Sequence, residues 1–138
     1  MNNYPTENQI LKKKPYLSKK IIKAIMIWKK LNFFNWSKKN KKEKIIELQV
    51  LILMISIIVK RKMISTEETM FYAYDPIRIR IFLNKNNPSI LSTLHELGHY
   101  LYGPSELTAC RWSVWIFKEC FPELFKNLRF EGHLLVKK

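Results

Sequence analysis

From Ser18 to Leu31 the apolar residues Ile21, Ile22, Ala24, Ile25 and Trp28 recur at steps of three and four. That period predicts an amphipathic helix with Lys19, Lys20, Lys23, Lys29 and Lys30 on its wet face. A second lysine cluster, Lys38 to Lys44, precedes a nearly unbroken apolar run from Ile45 to Val59. The cluster reads as a solvated loop and first helical turn. The run reads as a buried helix passing into a strand near Ser56 to Val59.

Between Thr69 and Leu83 the period shortens. Phe71, Tyr72 and Tyr74 precede Asp75-Pro76, and Ile77-Arg78-Ile79-Arg80-Ile81-Phe82 alternates strictly. A strand over about 77–83 is predicted, with Ile77, Ile79 and Ile81 toward the core and Arg78 and Arg80 toward water. After turn material at Asn84 to Asn87, an Asn87 cap and Pro88 at the first helical position predict a helix over about 88–102. Ile90, Leu91, Leu94, Leu97 and Leu101 form its core stripe, and Gly103-Pro104 ends it. Ser105 caps a second helix over about 106–120, and Pro122 opens a short helix around Glu123 to Leu128. The tail is unassigned. Residues 1–17, polar with Pro5 and Pro15, read as a flexible basic arm; 18–62 form a basic helical region packing on the core; 63–138 form the core itself. The fold class is α+β, mostly helical, with a small β-sheet.

Length and composition agree with one folded domain. A chain of 138 residues can bury a core without staples, and 47% hydrophobic content with 13% aromatics excludes disorder. The net charge of +14 is lopsided. Residues 1–62 hold 16 Lys and Arg against 3 Glu, a balance of +13, whereas residues 63–138 hold 9 against 8. Such a surface suits nucleic acid or anionic lipid, and a codon bias toward Lys, Ile and Asn produces the same excess. Cys110 and Cys120 fall on one predicted helix, about 15 Å apart, beyond disulfide reach. Free thiols and an N-terminus without an apolar stretch before its lysines lead to a cytoplasmic expectation. The run from Ile45 to Val59 is short of the ~20 residues of a membrane span and carries Glu47 and Gln49, so a membrane partner is not expected.

The chemistry concentrates at His95-Glu96-Leu97-Gly98-His99, an H-E-x-x-H pattern within the predicted 88–102 helix. Four residues at 100° put the two imidazoles one turn apart on one face, where both reach one metal ion. Zinc suits two nitrogen ligands and an oxygen ligand with a fourth position for water, and Glu96 is placed to take that water's proton. From this composition about 0.005 accidental matches are expected in the chain. The third ligand is open among Glu106, Asp75, His133, Glu119, Cys110 and Cys120. Glu106 is the best placed, because the break at Gly103-Pro104 turns the chain back just after His99. Tyr72, Tyr74, Tyr100 and Tyr102 are candidate oxyanion donors. The 77–82 strand is a candidate edge for pairing with an extended peptide.

Ser92-Thr93-Leu94-His95-Glu96-Leu97-Gly98-His99, followed by Glu106-Leu107-Thr108-Ala109 and Trp112, resembles the ImmA/IrrE-type metallopeptidases of phages and mobile elements. The likeness spans roughly residues 69–122. It implies a zincin-like core with zinc on His95, His99 and Glu106, and Glu96 as the catalytic base. Two features depart from the pattern: the connection between the two helices is unusually short, and Cys110 stands where an acidic residue often follows the alanine. The resemblance implies a protein substrate, often a helix-turn-helix repressor. A DNA-associated regulator using the basic first half, with a structural or vestigial zinc site, is the second reading. A peptidase docked on a membrane through Ile45 to Val59 is the third.

Overall fold

The computed structural model describes residues 4–132 and 134–138. Two helices open the chain, α1 (Glu7–Leu11) and α2 (Lys19–Asn32), and a 3₁₀ turn at Trp36–Lys38 leads into α3 (Lys41–Val59). Three short strands follow: β1 (Ser65–Thr69), β2 (Ala73–Asp75) and β3 (Arg80–Asn84). Next come α4 (Ile90–Tyr102), α5 (Glu106–Cys120) and α6 (Pro122–Phe125), and a hairpin of β4 (Leu128–Glu131) and β5 (Leu134–Lys137) closes the chain. The α+β class expected from the sequence is observed.

Residues 1–17 were expected to be a flexible arm, but their described part is docked. Thr6 and Gln9 form a capping box that starts α1, and Ile10 is fully buried beside Cys110 and Val114. The α1 carbonyls are also used: Arg111 Nε donates to Gln9 O at 2.8 Å and Trp115 Nε1 to Ile10 O at 3.0 Å. The α2 helix starts where Ser18 caps it and buries Ile21, Ala24, Ile25 and Trp28. Helix α3 is continuous to Val59, with no strand near Ser56. Its capping box, Asn40 with Glu43, begins the helix, and Lys60 at φ 55° ends it.

The expected strand over 77–83 is corrected in its start, while the odd positions keep the core face from Ile81 onward. Residues 76–79 are a turn between β2 and β3, and Ile77 is 92% exposed. The cause lies in Asp75-Pro76: Asp75 Oδ1 accepts the N–H groups of Ile77 at 2.9 Å and Arg78 at 3.3 Å, and these local bonds replace ladder bonds. The buried positions are then Ile81 and Leu83. In the three-stranded sheet β3 is central, parallel to β1 and antiparallel to β2.

One core runs through both halves of the chain, from Ile21 and Trp28 through Leu48 and Ile55 to Leu94, Trp112 and Phe121. Trp28 Nε1 donates to Glu47 O at 2.8 Å, and Lys29 Nζ donates to Cys120 O at 2.9 Å while ion-pairing with Glu123. These contacts fix the basic region against the helices that carry the site. Ile10→Ala should cost about 2–4 kcal/mol in a chemical denaturation experiment, as expected for a large-to-small change in a closed core. An unchanged midpoint would mean that α1 is not docked.

Candidate metal centre

Helix α4 starts two residues later than the sequence suggested, with Ser89 rather than Asn87 as its cap. Ser89 Oγ accepts the Ser92 N–H, and Thr93 Oγ1 donates to Ser89 O at 2.7 Å. The Tyr72 hydroxyl accepts the Ser89 N–H at 2.7 Å and donates to Asn87 O at 3.2 Å, so the approach to β2 is tied to the start of the helix. With that start fixed, Ile90, Leu94, Leu97 and Leu101 turn into the core, Leu91 is half-buried, and His95 and His99 face a cleft of about 960 Å³.

Two residues let α5 close on α4. A Cβ built on Gly98 would meet Ala109 Cα at 3.2 Å, Ala109 O at 3.3 Å and Trp112 Cε3 at 3.3 Å. Gly103, at φ 99° in a region that favours glycine, lets the chain leave α4 sharply, and Ser105 caps α5 at once. The short connection therefore returns Glu106 directly over the histidine face.

His99 Nε2 lies 2.8 Å from Glu106 Oε1, and His95 Nε2 lies 3.2 Å from Glu106 Oε2. One ligand atom from each of the three residues falls within 4.8 Å of the others. Ligand atoms on a tetrahedral zinc stand about 3.3 Å apart, given bonds near 2.0–2.1 Å, so small side-chain adjustments would bring the three onto one ion. The donor chemistry agrees. His99 Nδ1 lies 2.9 Å from Gly103 O, and a carbonyl only accepts, so Nδ1 carries a hydrogen and Nε2 is the nitrogen that faces the carboxylate. A lone pair facing a carboxylate needs a cation or a proton between them. The two imidazoles, with centroids 4.9 Å apart and planes at 81°, converge on that point from different directions.

Glu96 lines the same cleft and is 8% exposed. Burial pushes its carboxyl from the ordinary 4.5 up to about 7; the charge of His99 lowers it and that of Glu106 raises it. A carboxyl poised there suits proton transfer near neutrality.

The other ligand candidates are placed elsewhere. Asp75 is held in its turn with Arg78. Cys120 is buried at the far end of α5. Glu119, one residue before Cys120 on α5, is not part of the His-His-Glu group. His133 lies outside the described residues. Cys110 lines the cleft, but its Sγ sits 3.7 Å from His95 Nδ1, the ring nitrogen turned away from Glu106, and burial pushes its thiol up to about 12. Of the four candidate oxyanion donors, Tyr72 and Tyr74 line the cleft. Tyr100 instead donates to Lys62 O, and Tyr102 packs beside Trp112. The candidate peptide-pairing strand is also corrected: β3 has both edges occupied, and the edge strand at the cleft is β2, through Ala73 and Tyr74. Sequence reasoning missed the opposite wall, Leu134 to Val136 of β5 with Val114 and Tyr4.

Comparison with protein-family models, with curated proteins and with solved structures returned no match.

Two outcomes test this geometry. Gly98→Ala should destabilise the fold by about 1–3 kcal/mol and weaken zinc binding, because the added methyl forces α5 and Glu106 away from α4. Zinc titration of the variant reads the second effect. In chelator, Glu96→Gln should be more stable than wild type at pH 8 by about 1–3 kcal/mol. The sign follows from a folded value above the unfolded one: ionising Glu96 costs stability, a cost absent below 4.5 and complete above about 7. The difference between the two proteins should therefore vanish near pH 4.5.

Proposed function

We propose that this chain is a zinc-dependent metallopeptidase with a minimal zincin-like core, acting on a protein or peptide substrate. The observation that carries the reading is the convergence of His95, His99 and Glu106 on one point in the cleft that Glu96 also lines. When bound, zinc supplies Lewis acidity, polarising the scissile carbonyl and acidifying water. His95 and His99 would hold it through ring nitrogens, and Glu106 would add a carboxylate oxygen. The Gly103 carbonyl keeps His99 in the required tautomer.

Glu96 takes the proton of the attacking water on its carboxylate and returns it to the leaving amine. Substrate is held along the free edge of β2, whose backbone runs antiparallel to β3 on one side and borders the cleft with Ala73 and Tyr74. The Tyr74 hydroxyl is the candidate donor to the developing oxyanion, since that of Tyr72 is bonded to backbone groups of Asn87 and Ser89. The resemblance to ImmA/IrrE-type enzymes supports a protein substrate such as a helix-turn-helix repressor.

The test is a Glu96→Gln variant assayed on a protein the wild type cleaves. It should retain about one zinc per chain and lose hydrolysis by about 10²–10⁴-fold. Hydrolysis at the wild-type rate would contradict the assignment of Glu96.

A further inference from the structure

The outer face of α3 is apolar and is not covered by any of the described residues. Ile46, Val50, Leu53 and Ile57 are 38–58% exposed. At 100° per residue they fall within about 60° of one another, on the side opposite the buried Leu48, Ile52 and Ile55. The stripe is about 17 Å long at 1.5 Å per residue. It lies between two packed neighbours, α2 on the Glu47 side and β1 on the Gln49 side, where Gln49 Nε2 donates to Thr66 Oγ1. Burial in the domain core explains the other faces of this helix and leaves this one unexplained.

Both ends of the stripe are basic. Lys41 and Lys42 precede it, Lys60 and Lys62 follow it, and all four are exposed, while Arg61 is turned onto Tyr100, to whose carbonyl it donates at 3.2 Å. Glu43, the acidic residue of the first turn, is occupied in the capping box with Asn40. This charge pattern discriminates among occupants. A second copy docked on the stripe, parallel or antiparallel, would bring lysines against lysines at each end, between chains that each carry +14. A nucleic acid would take the lysines and leave the isoleucines against its solvated phosphates. An anionic lipid surface takes both at once, the stripe among the acyl chains just below the headgroups and the lysine ammoniums on the phosphates.

We propose that α3 docks the protein on an anionic lipid surface, with Ile46, Val50, Leu53 and Ile57 in the interfacial layer and the basic residues at both ends on the headgroups. The helix lies on the bilayer: it is not long and apolar enough to cross one, and its opposite face is in the domain core. The expectation against a membrane partner rested on the run being too short to span a bilayer and on Glu47 and Gln49; docking along one face needs no span, and it agrees with the third sequence reading. The proposal is independent of the metal centre.

The test is co-sedimentation of the full chain with vesicles of phosphatidylcholine alone and of phosphatidylcholine with phosphatidylglycerol. Wild type should pellet with the anionic vesicles and stay in solution with the neutral ones. The double variant V50E/L53E should bind at least about tenfold more weakly, because two apolar contacts with the acyl layer are lost. Its circular dichroism and zinc content should match wild type, which separates loss of docking from loss of fold or site. A second variant, K41Q/K42Q/K60Q/K62Q, leaves the stripe intact and should also weaken binding to anionic vesicles. Equal binding to both vesicle types, unchanged binding of both variants, or a wild type that ignores vesicles while forming dimers or retaining DNA would overturn the proposal.

Discussion

The close approach of α4 and α5 at Gly98 and Ala109 is the contact on which the site depends. A Cβ at position 98 would press on the Ala109 backbone at 3.2–3.3 Å, so α5, which carries Glu106, would have to give way by a few tenths of an ångström. The same contact explains residues that carry no chemistry themselves. Gly98 admits the partner backbone, Gly103 supplies the sharp exit, and Ser105 restarts the helix without a wasted turn. The packing of α5 adds a carboxylate oxygen to the histidine pair on α4, giving a group that could hold a metal ion.

That arrangement sets local demands against global stability. Burying Glu96 raises its carboxyl toward neutrality, a cost to the folded chain whenever it ionises. Glu106 faces both imidazoles, with His99 Nε2 at 2.8 Å and His95 Nε2 at 3.2 Å from its oxygens. A divalent cation bound there would be held by the three side chains and would draw the Glu96 charge into a favourable field. The rest of the domain offsets the cost with a core that joins the basic first half to the helices of the site through Trp28, Trp112 and Phe121.

Much of this was legible in the sequence because local chemistry decided it. Ser18, Ser105, Gly103 and Pro122 mark element ends through capping and backbone restriction, and the structure uses all four. His95, His99 and Glu106 were legible for the same reason, two by helical spacing and one by the tight turn before it. The failures occurred where tertiary packing or a competing turn prevailed. The alternation from Ile77 to Phe82 looked like a strand, but the Asp75 side chain captured two backbone N–H groups and made its first residues a turn. The first helix was signalled only by Thr6 and Gln9, five residues that are stable because Ile10 finds a slot beside Val114. The outward stripe of α3 was hidden by composition: a helix apolar all round gives no period from which to tell the buried face from the free one.

The central claim is that His95, His99 and Glu106 form one zinc site, and X-ray absorption at the zinc edge of the loaded protein tests it most directly. The account predicts a four-coordinate zinc with nitrogen and oxygen neighbours at about 2.0–2.1 Å, an imidazole signature from two histidines and no sulfur neighbour. A sulfur shell near about 2.3 Å would put Cys110 or Cys120 in the site and contradict the assignment. A protein that holds no zinc after loading and removal of the excess would contradict the site itself.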